Sequence, residues 1–205
     1  MSEPVVHIID DDESARDALA FLLEAGDFMV ATYPSGPAFL EALSSAAPGI
    51  VVSDIRMPEM SGLELAERLR VMNSPFPVII MTGHGDIPMA VEAMRGGVID
   101  FLEKPFSEER MFAALERARA SLRPEDAKSG DGDAEIFARL DTLSEREHQV
   151  LDRVVAGQPN KVIARELEIS PRTVEIYRAK LMSKMQADSL AALVRMALAA
   201  EAARG

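Results

Sequence analysis

Asp10 with Asp11, Asp54, Thr82 and Lys104 are the residues of this chain whose types could do chemistry together. Each follows a short apolar run: Val5-Val6-His7-Ile8-Ile9, Ile50-Val51-Val52-Ser53, Val78-Ile79-Ile80-Met81 and the stretch from Val98 to Leu102. Two adjacent acids with a third from a neighbouring strand make a hard oxygen site. Such a site suits Mg²⁺, which accepts one or two carboxylates and keeps several waters. A lysine nearby offsets the negative charge and can pair with an incoming phosphoryl group. A threonine hydroxyl at the same edge can donate to a phosphate oxygen. The chemistry is phosphoryl transfer to a carboxylate nucleophile. An acidic triplet after a strand is, by itself, usually a solvated loop or a helix cap. Asp12 and Glu13 fit that plainer role, charging the first turn of a helix. The arrival of such groups at four strand ends favours the chemical reading.

The elements that must position these groups are legible over residues 1–123. Strands are expected at the four apolar runs and at Phe28–Tyr33. Helical patterns separate them: Ser14 to Ala25, Pro37–Leu43, Gly62–Met72, Pro88–Arg95 and Ser107–Leu122. Strands alternating with helices at this spacing predict an α/β doubly wound parallel sheet of five strands, covered on both faces. Continuous apolar runs, rather than strict alternation, are what such strands show. Ligand chemistry in that fold gathers at the carboxyl ends of the strands.

Beyond the last of these helices the pattern changes. Residues 124–139, with Pro124-Glu125-Asp126 and Ser129-Gly130-Asp131-Gly132-Asp133, read as an acidic linker. Residues 140–205 show no strand pattern and four helices. The first opens on the capping box Ser144-Glu145-Arg146-Glu147. The second covers Lys161–Glu168. The third starts on Ser170-Pro171 and runs to about Met185, and the fourth starts at Asp188-Ser189. The second and third form a helix-turn-helix through Ile169-Ser170.

Charge follows the same division. The 205 residues carry a net charge of −12, yet residues 1–123 hold 20 acidic and 10 basic side chains while 140–205 hold 9 and 10. Between 160 and 184 the basic residues Lys161, Arg165, Arg172, Arg178, Lys180 and Lys184 outnumber the acids. Scattered Arg and Lys on a helix usually mark a solvated face, so charge alone does not make this a nucleic-acid surface. Several classes are excluded. There is no cysteine for disulfides, thiolate metals or a thiol nucleophile, and three scattered histidines make no zinc site. No apolar run approaches the roughly 20 residues of a membrane span, no export signal precedes the first strand, and no phosphate-binding P-loop is present. A cytoplasmic protein is expected, without a membrane partner.

The motifs Ile8-Ile9-Asp10-Asp11-Asp12, Ser53-Asp54-Ile55-Arg56-Met57-Pro58, Met81-Thr82-Gly83-His84-Gly85-Asp86 and Asp100-Phe101-Leu102-Glu103-Lys104-Pro105-Phe106 resemble, in order and spacing, those of response-regulator receiver domains. Leu143-Ser144-Glu145-Arg146-Glu147, Asn160-Lys161-Val162-Ile163-Ala164 and Ile169-Ser170-Pro171-Arg172-Thr173-Val174-Glu175 resemble the LuxR/FixJ DNA-binding family, and the whole chain is similar to FixJ-type two-component regulators. The resemblance implies that Asp54 is phosphorylated by a partner sensor histidine kinase. It implies Mg²⁺ held by Asp11, Asp54 and the main-chain carbonyl of Arg56, with Asp10 acting through water. Thr82 and Lys104 would contact the phosphoryl oxygens, Phe101 would be the aromatic switch, and the Lys104–Pro105 bond would be cis. Phosphorylation would make a homodimer through Val91, Arg95, Ile99 and Asp100. Double-stranded promoter DNA would be bound by Lys161, Arg172, Thr173, Val174, Tyr177, Arg178 and Lys180, with RNA polymerase as a further partner. No enzyme activity is implied beyond the receiver's own Mg²⁺-dependent phosphoryl transfer and dephosphorylation.

Two other classes stay open on the residues alone. A phosphotransferase or phosphatase with an aspartyl intermediate commonly wants a second acid two residues after the nucleophile, where this chain has Arg56. An adaptor with an inert receiver would lack one of Asp11, Asp54 or Lys104, and all three are present.

Overall fold

The computed structural model describes residues 4–83, 87–122 and 131–204. They fall into two compact units, one of residues 1–84 with 96–127, the other of 85–95 with 128–205. In the first unit the order is β1 (Val5–Ile9), α1 (Glu13–Ala25), β2 (Val30–Tyr33), α2 (Gly36–Ala42), β3 (Gly49–Asp54), α3 (Gly62–Val71), β4 (Val78–Thr82), β5 (Asp100–Glu103) and α5 (Glu108–Ser121). All pairings are parallel, in the order β2-β1-β3-β4-β5, which is the expected doubly wound sheet. Strand alternation sends Val6, Ile8, Ile50, Val52, Ile79, Met81 and Leu102 to one face. There they close over Leu19 and Leu23 of α1 and Met111, Ala114 and Leu115 of α5. The opposite side buries Phe39, Leu65 and Leu69.

Caps set the helix starts. Asp12 accepts from the amides of Ser14 and Ala15 at α1, so it is the expected cap, and Ser61 with Glu64 forms a capping box at α3. Strand β2 begins two residues later than expected because the turn before it places Asp27 at φ 64°. Gly62 is required where α3 approaches β3: a Cβ there would overlap the Asp54 carbonyl oxygen.

The second unit holds α4 (Ile87–Arg95), α6 (Asp131–Leu140), α7 (Glu145–Val155), α8 (Asn160–Glu166), α9 (Pro171–Met185) and α10 (Leu190–Arg204). Val150, Val154, Ile163, Leu167, Val174, Leu181, Met185 and Leu193 form its core. Helix α8 stops before Glu168, which sits at φ 54°, so the expected second helix is two residues shorter at its end.

Helix α6 corrects the expectation of a linker over 124–139. Ile136, Phe137 and Leu140 pack on the core of the second unit, at spacings that share one helix face. Arg139 Nη1 donates to the Met185 carbonyl at 3.0 Å, at the C-terminal end of α9, where a cation suits the helix dipole. The linker residues 124–130 lie outside the described residues.

Candidate functional site

Parallel register aligns the strand ends. Ile9 pairs with Ser53, Asp54 with Met81 and Thr82 with Glu103, so Asp10, Asp54, Thr82 and Lys104 come to one edge of the sheet. Lys104 Nζ donates to Asp54 Oδ1 at 2.5 Å and to Asp10 Oδ2 at 3.1 Å. Asp10 is buried, whereas Asp54 remains 14% exposed, open enough to meet a reagent. Backbone contacts hold the group in place. The Lys104 amide donates to the Thr82 carbonyl at 2.7 Å, the Arg56 amide to Asp54 Oδ2 at 2.7 Å, and the Asp12 amide to Asp10 Oδ1 at 3.0 Å. The Lys104–Pro105 bond is cis.

Electrostatics keeps Lys104 charged. Burial by itself would lower its pKa, but the hydrogen bond and charge of Asp54, joined by Asp10, outweigh that and raise it. The ammonium therefore stands ready for an anion at this edge. Thr82 is buried, and its Oγ1 donates to the Gly83 carbonyl at 3.2 Å.

Of the three expected acids, Asp10 and Asp54 both meet Lys104. Asp10 turns inward to Lys104, while its neighbour Asp11 is exposed. Among the described residues no three acidic or histidine side chains gather closely enough to hold a metal. Mg²⁺ does not need three. Asp10 and Asp54 would offer hard oxygens directly or through water, since each ionised carboxylate has acceptor sites beyond the two bonds named above, and waters would complete the shell. The residues fit the ion.

Arg16 was not singled out from the sequence. It donates from Nη1 to the Asp10 carbonyl at 2.7 Å, tying α1 to the acidic turn. Its signal was spacing: six residues after Asp10, it lies on the first turn of a helix that starts at that turn.

The expected switch and dimer residues are placed differently from an open face. Phe101 is already buried, so a switch here does not start from an exposed ring. Asp100 is fully buried, its Oδ2 paired with Arg117 of α5 and its Oδ1 accepting from the Phe101 amide at 2.9 Å. A buried carboxylate demands such a partner, and Arg117 supplies it inside the unit. Val91 is buried in the second unit, and Arg95 Nη2 donates to the Val155 carbonyl at 3.2 Å. Ile99 is half-buried. His84 lies outside the described residues.

In the second unit, Ser170 caps α9 through the Thr173 amide at 3.0 Å. The exposed side of α9 carries Arg172, Glu175, Ile176, Ala179 and Lys180, with Lys161 exposed on α8. Tyr177 is half-buried against the core, and Lys180 Nζ stands 5.7 Å from its ring centroid. Val174, named for DNA binding by the resemblance, is fully buried in phase with Leu181 and Met185 and packs on the other helices. Ile176, two residues further on, is 48% exposed. The two β-branched residues differ because only Val174 falls on the inward side of the helix.

Comparison with known proteins agrees with both units. Residues 6–116 match the response regulator receiver domain family, and residues 141–197 match the luxR family of bacterial regulatory proteins. The chain is 51% identical over 195 residues to the transcriptional regulatory protein FixJ of Bradyrhizobium diazoefficiens, covering 95% of each. It is 52% identical over 199 residues to the protein of the same name from Rhizobium meliloti, covering 97% of each. Among solved structures, full-length FixJ from B. japonicum matches with a TM-score of 0.59 and 50% identity, over 98% of this chain and 99% of that one. The chain therefore belongs to the FixJ-like response regulators, transcription regulators that join a receiver domain to a luxR-type DNA-binding domain.

Proposed function

We propose that Asp54 accepts a phosphoryl group from the phosphohistidine of a sensor histidine kinase. One observation supports this above the others: the ammonium of Lys104 bridges the carboxylates of Asp10 and Asp54 at aligned strand ends. An Asp54 oxygen attacks phosphorus, the phosphorus–nitrogen bond breaks, and the imidazole leaves with a proton. Asp11, Asp54 and the main-chain carbonyl of Arg56, with Asp10 acting through water, would hold Mg²⁺, which when bound would offset charge on the transferring phosphoryl oxygens. Lys104 and Thr82 then bind the new phosphoryl oxygens. The bond to Lys104 thus passes from carboxylate to phosphate, and Thr82 exchanges its bond to the Gly83 carbonyl for one to phosphate. These changes start the shift that ends in dimerisation. Val91, Arg95, Ile99 and Asp100 form the dimer face once they are released from their present partners.

The output is promoter binding in the cytoplasm, with RNA polymerase as the downstream partner. Arg172 and Lys180 contact phosphates with Lys161, while Thr173 and the exposed Ile176 reach base edges, the latter suited to a thymine methyl. The kinase and the signal are set by residues outside this site, since one architecture serves many inputs.

The test is incubation with Mg²⁺ and acetyl phosphate, followed by intact mass. One phosphoryl group per chain is expected, absent from Asp54→Asn. Labelling retained in that variant and mapped elsewhere refutes the assignment. Rapid turnover of an added phosphoester would favour a phosphatase instead.

A further inference from the structure

By residue type Arg178 reads as a phosphate ligand, a basic side chain halfway along α9. Its position argues against that. It lies one turn beyond the fully buried Val174, on the same side of the helix, and is itself half-buried. The exposed side, with Arg172, Ile176 and Lys180, is a different one. Arg178 Nη1 donates to Asn160 Oδ1 at 2.7 Å. Asn160 is the first residue of α8, and the N-cap before it is Pro159, which makes no side-chain cap bond. The asparagine amide oxygen is thus turned away from its own helix and toward α9. The bond joins the two helices whose mutual angle decides how α9 is presented to a groove.

We infer that Arg178 is a positioning residue for DNA binding, acting through Asn160 to hold α8 against α9, and is not a phosphate ligand. This rests on the DNA-binding reading above. The two roles differ in their salt dependence. A phosphate contact releases counterions, so its loss lowers the slope of log K against log salt by about 0.9. A bond between helices changes affinity and leaves that slope alone.

The experiment uses the full chain with acetyl phosphate and Mg²⁺, and a duplex selected by the wild type from a random pool. Binding is measured from 50 to 200 mM salt by order-of-magnitude steps in protein. Arg178→Ala is expected to weaken binding about tenfold, as for loss of a charge-assisted hydrogen bond, with the wild-type slope. Asn160→Ala should give the same loss, and the double variant no more than either. Arg178→Gln, which is neutral but keeps an N–H donor, should recover most of the affinity and guards against a misfolded alanine variant. A slope lowered by about 0.9 in both Arg178 variants, with Asn160→Ala unchanged, would make Arg178 a phosphate ligand and overturn the inference. A wild type that selects no duplex would instead overturn the DNA-binding reading, and this inference with it.

Discussion

Lys184→Met removes the cation that fixes the end of α9 to the start of α7. Glu147, the capping-box glutamate of α7, is only 5% exposed, and Lys184 Nζ donates to its Oε2 at 2.7 Å and to the Thr142 carbonyl at 2.9 Å. The Lys184 hydrogen bond, followed by the Ser144 amide, holds the Glu147 pKa at about 2, against an ordinary 4.5. At 1.36 kcal/mol per unit the whole shift corresponds to about 3 kcal/mol. Lys184 is 39% exposed, so solvent screens its share, and the Ser144 bonds survive the substitution. The expected cost is therefore about 1.5–2 kcal/mol. With a slope near 1 kcal/mol/M for a unit this size, the urea midpoint should fall by about 1.5–2 M.

The assay can follow the second unit alone. The chain has no tryptophan and two tyrosines. In a Tyr33→Phe background, fluorescence comes from Tyr177, which packs on the second core. The pH dependence carries the sign. A carboxylate whose folded pKa lies below its unfolded value contributes stability above about pH 4.5, and that contribution is lost as pH falls toward 2. The gap between wild type and Lys184→Met should thus be full at pH 6–7 and close near pH 2–3. Glu147→Gln and Lys184→Met should also be non-additive. A gap constant from pH 3 to 7, or additive losses, would refute the reasoning.

Three further outcomes are expected. Gly62→Ala should slow phosphorylation of Asp54 and cost about 1–3 kcal/mol, because the added methyl must push the Asp54 carbonyl away; unchanged labelling kinetics would count against it. His7 is buried, and that burial lowers its pKa despite the opposing bond from its Nε2 to the Ala47 carbonyl at 2.9 Å. The first unit should therefore be most stable above pH 6.5 and lose stability as pH drops below it, a slope that His7→Phe should flatten in urea titrations. A fragment starting at Asp141 should melt lower than one starting at Asp131, by about 2–4 kcal/mol, since it lacks Ile136, Phe137 and Leu140; equal stability would return α6 to the linker.

What the sequence showed and what it hid divide along a physical line. The sheet was legible because each buried parallel strand is an apolar run, and the acid, hydroxyl and lysine stand directly after those runs. Register then had to bring Asp10, Asp54, Thr82 and Lys104 together. Side-chain direction within a motif was less visible. Asp10 and Asp11 are the same residue type one position apart, and only the turn of the chain sends one to Lys104 and the other to water. Composition hid α6: the glycines and aspartates at 129–133 masked the apolar spacing of 136, 137 and 140.

Helix phase decides which side of α9 is exposed. Val174, Leu181 and Met185 differ by seven and four residues and so share the buried side, which leaves Ile176 two positions out of phase and facing solvent. The same rule puts Arg178, four residues after Val174, at the edge of that buried side, where it meets Asn160. On the proposed reading, positive charge marks the DNA-facing side of α9 only where helix phase also turns it outward, at Arg172 and Lys180. Substituting Ile176 with Ser should then alter base preference with an unchanged salt slope, whereas Lys180→Ala should weaken binding to all duplexes alike and lower the slope by about 0.9. Selection of a new duplex from the random pool by Ile176→Ser, and the same duplex by Lys180→Ala, is the expected pair of results. The reverse pair would mean that exposure on the free helix does not decide which side chains read the bases.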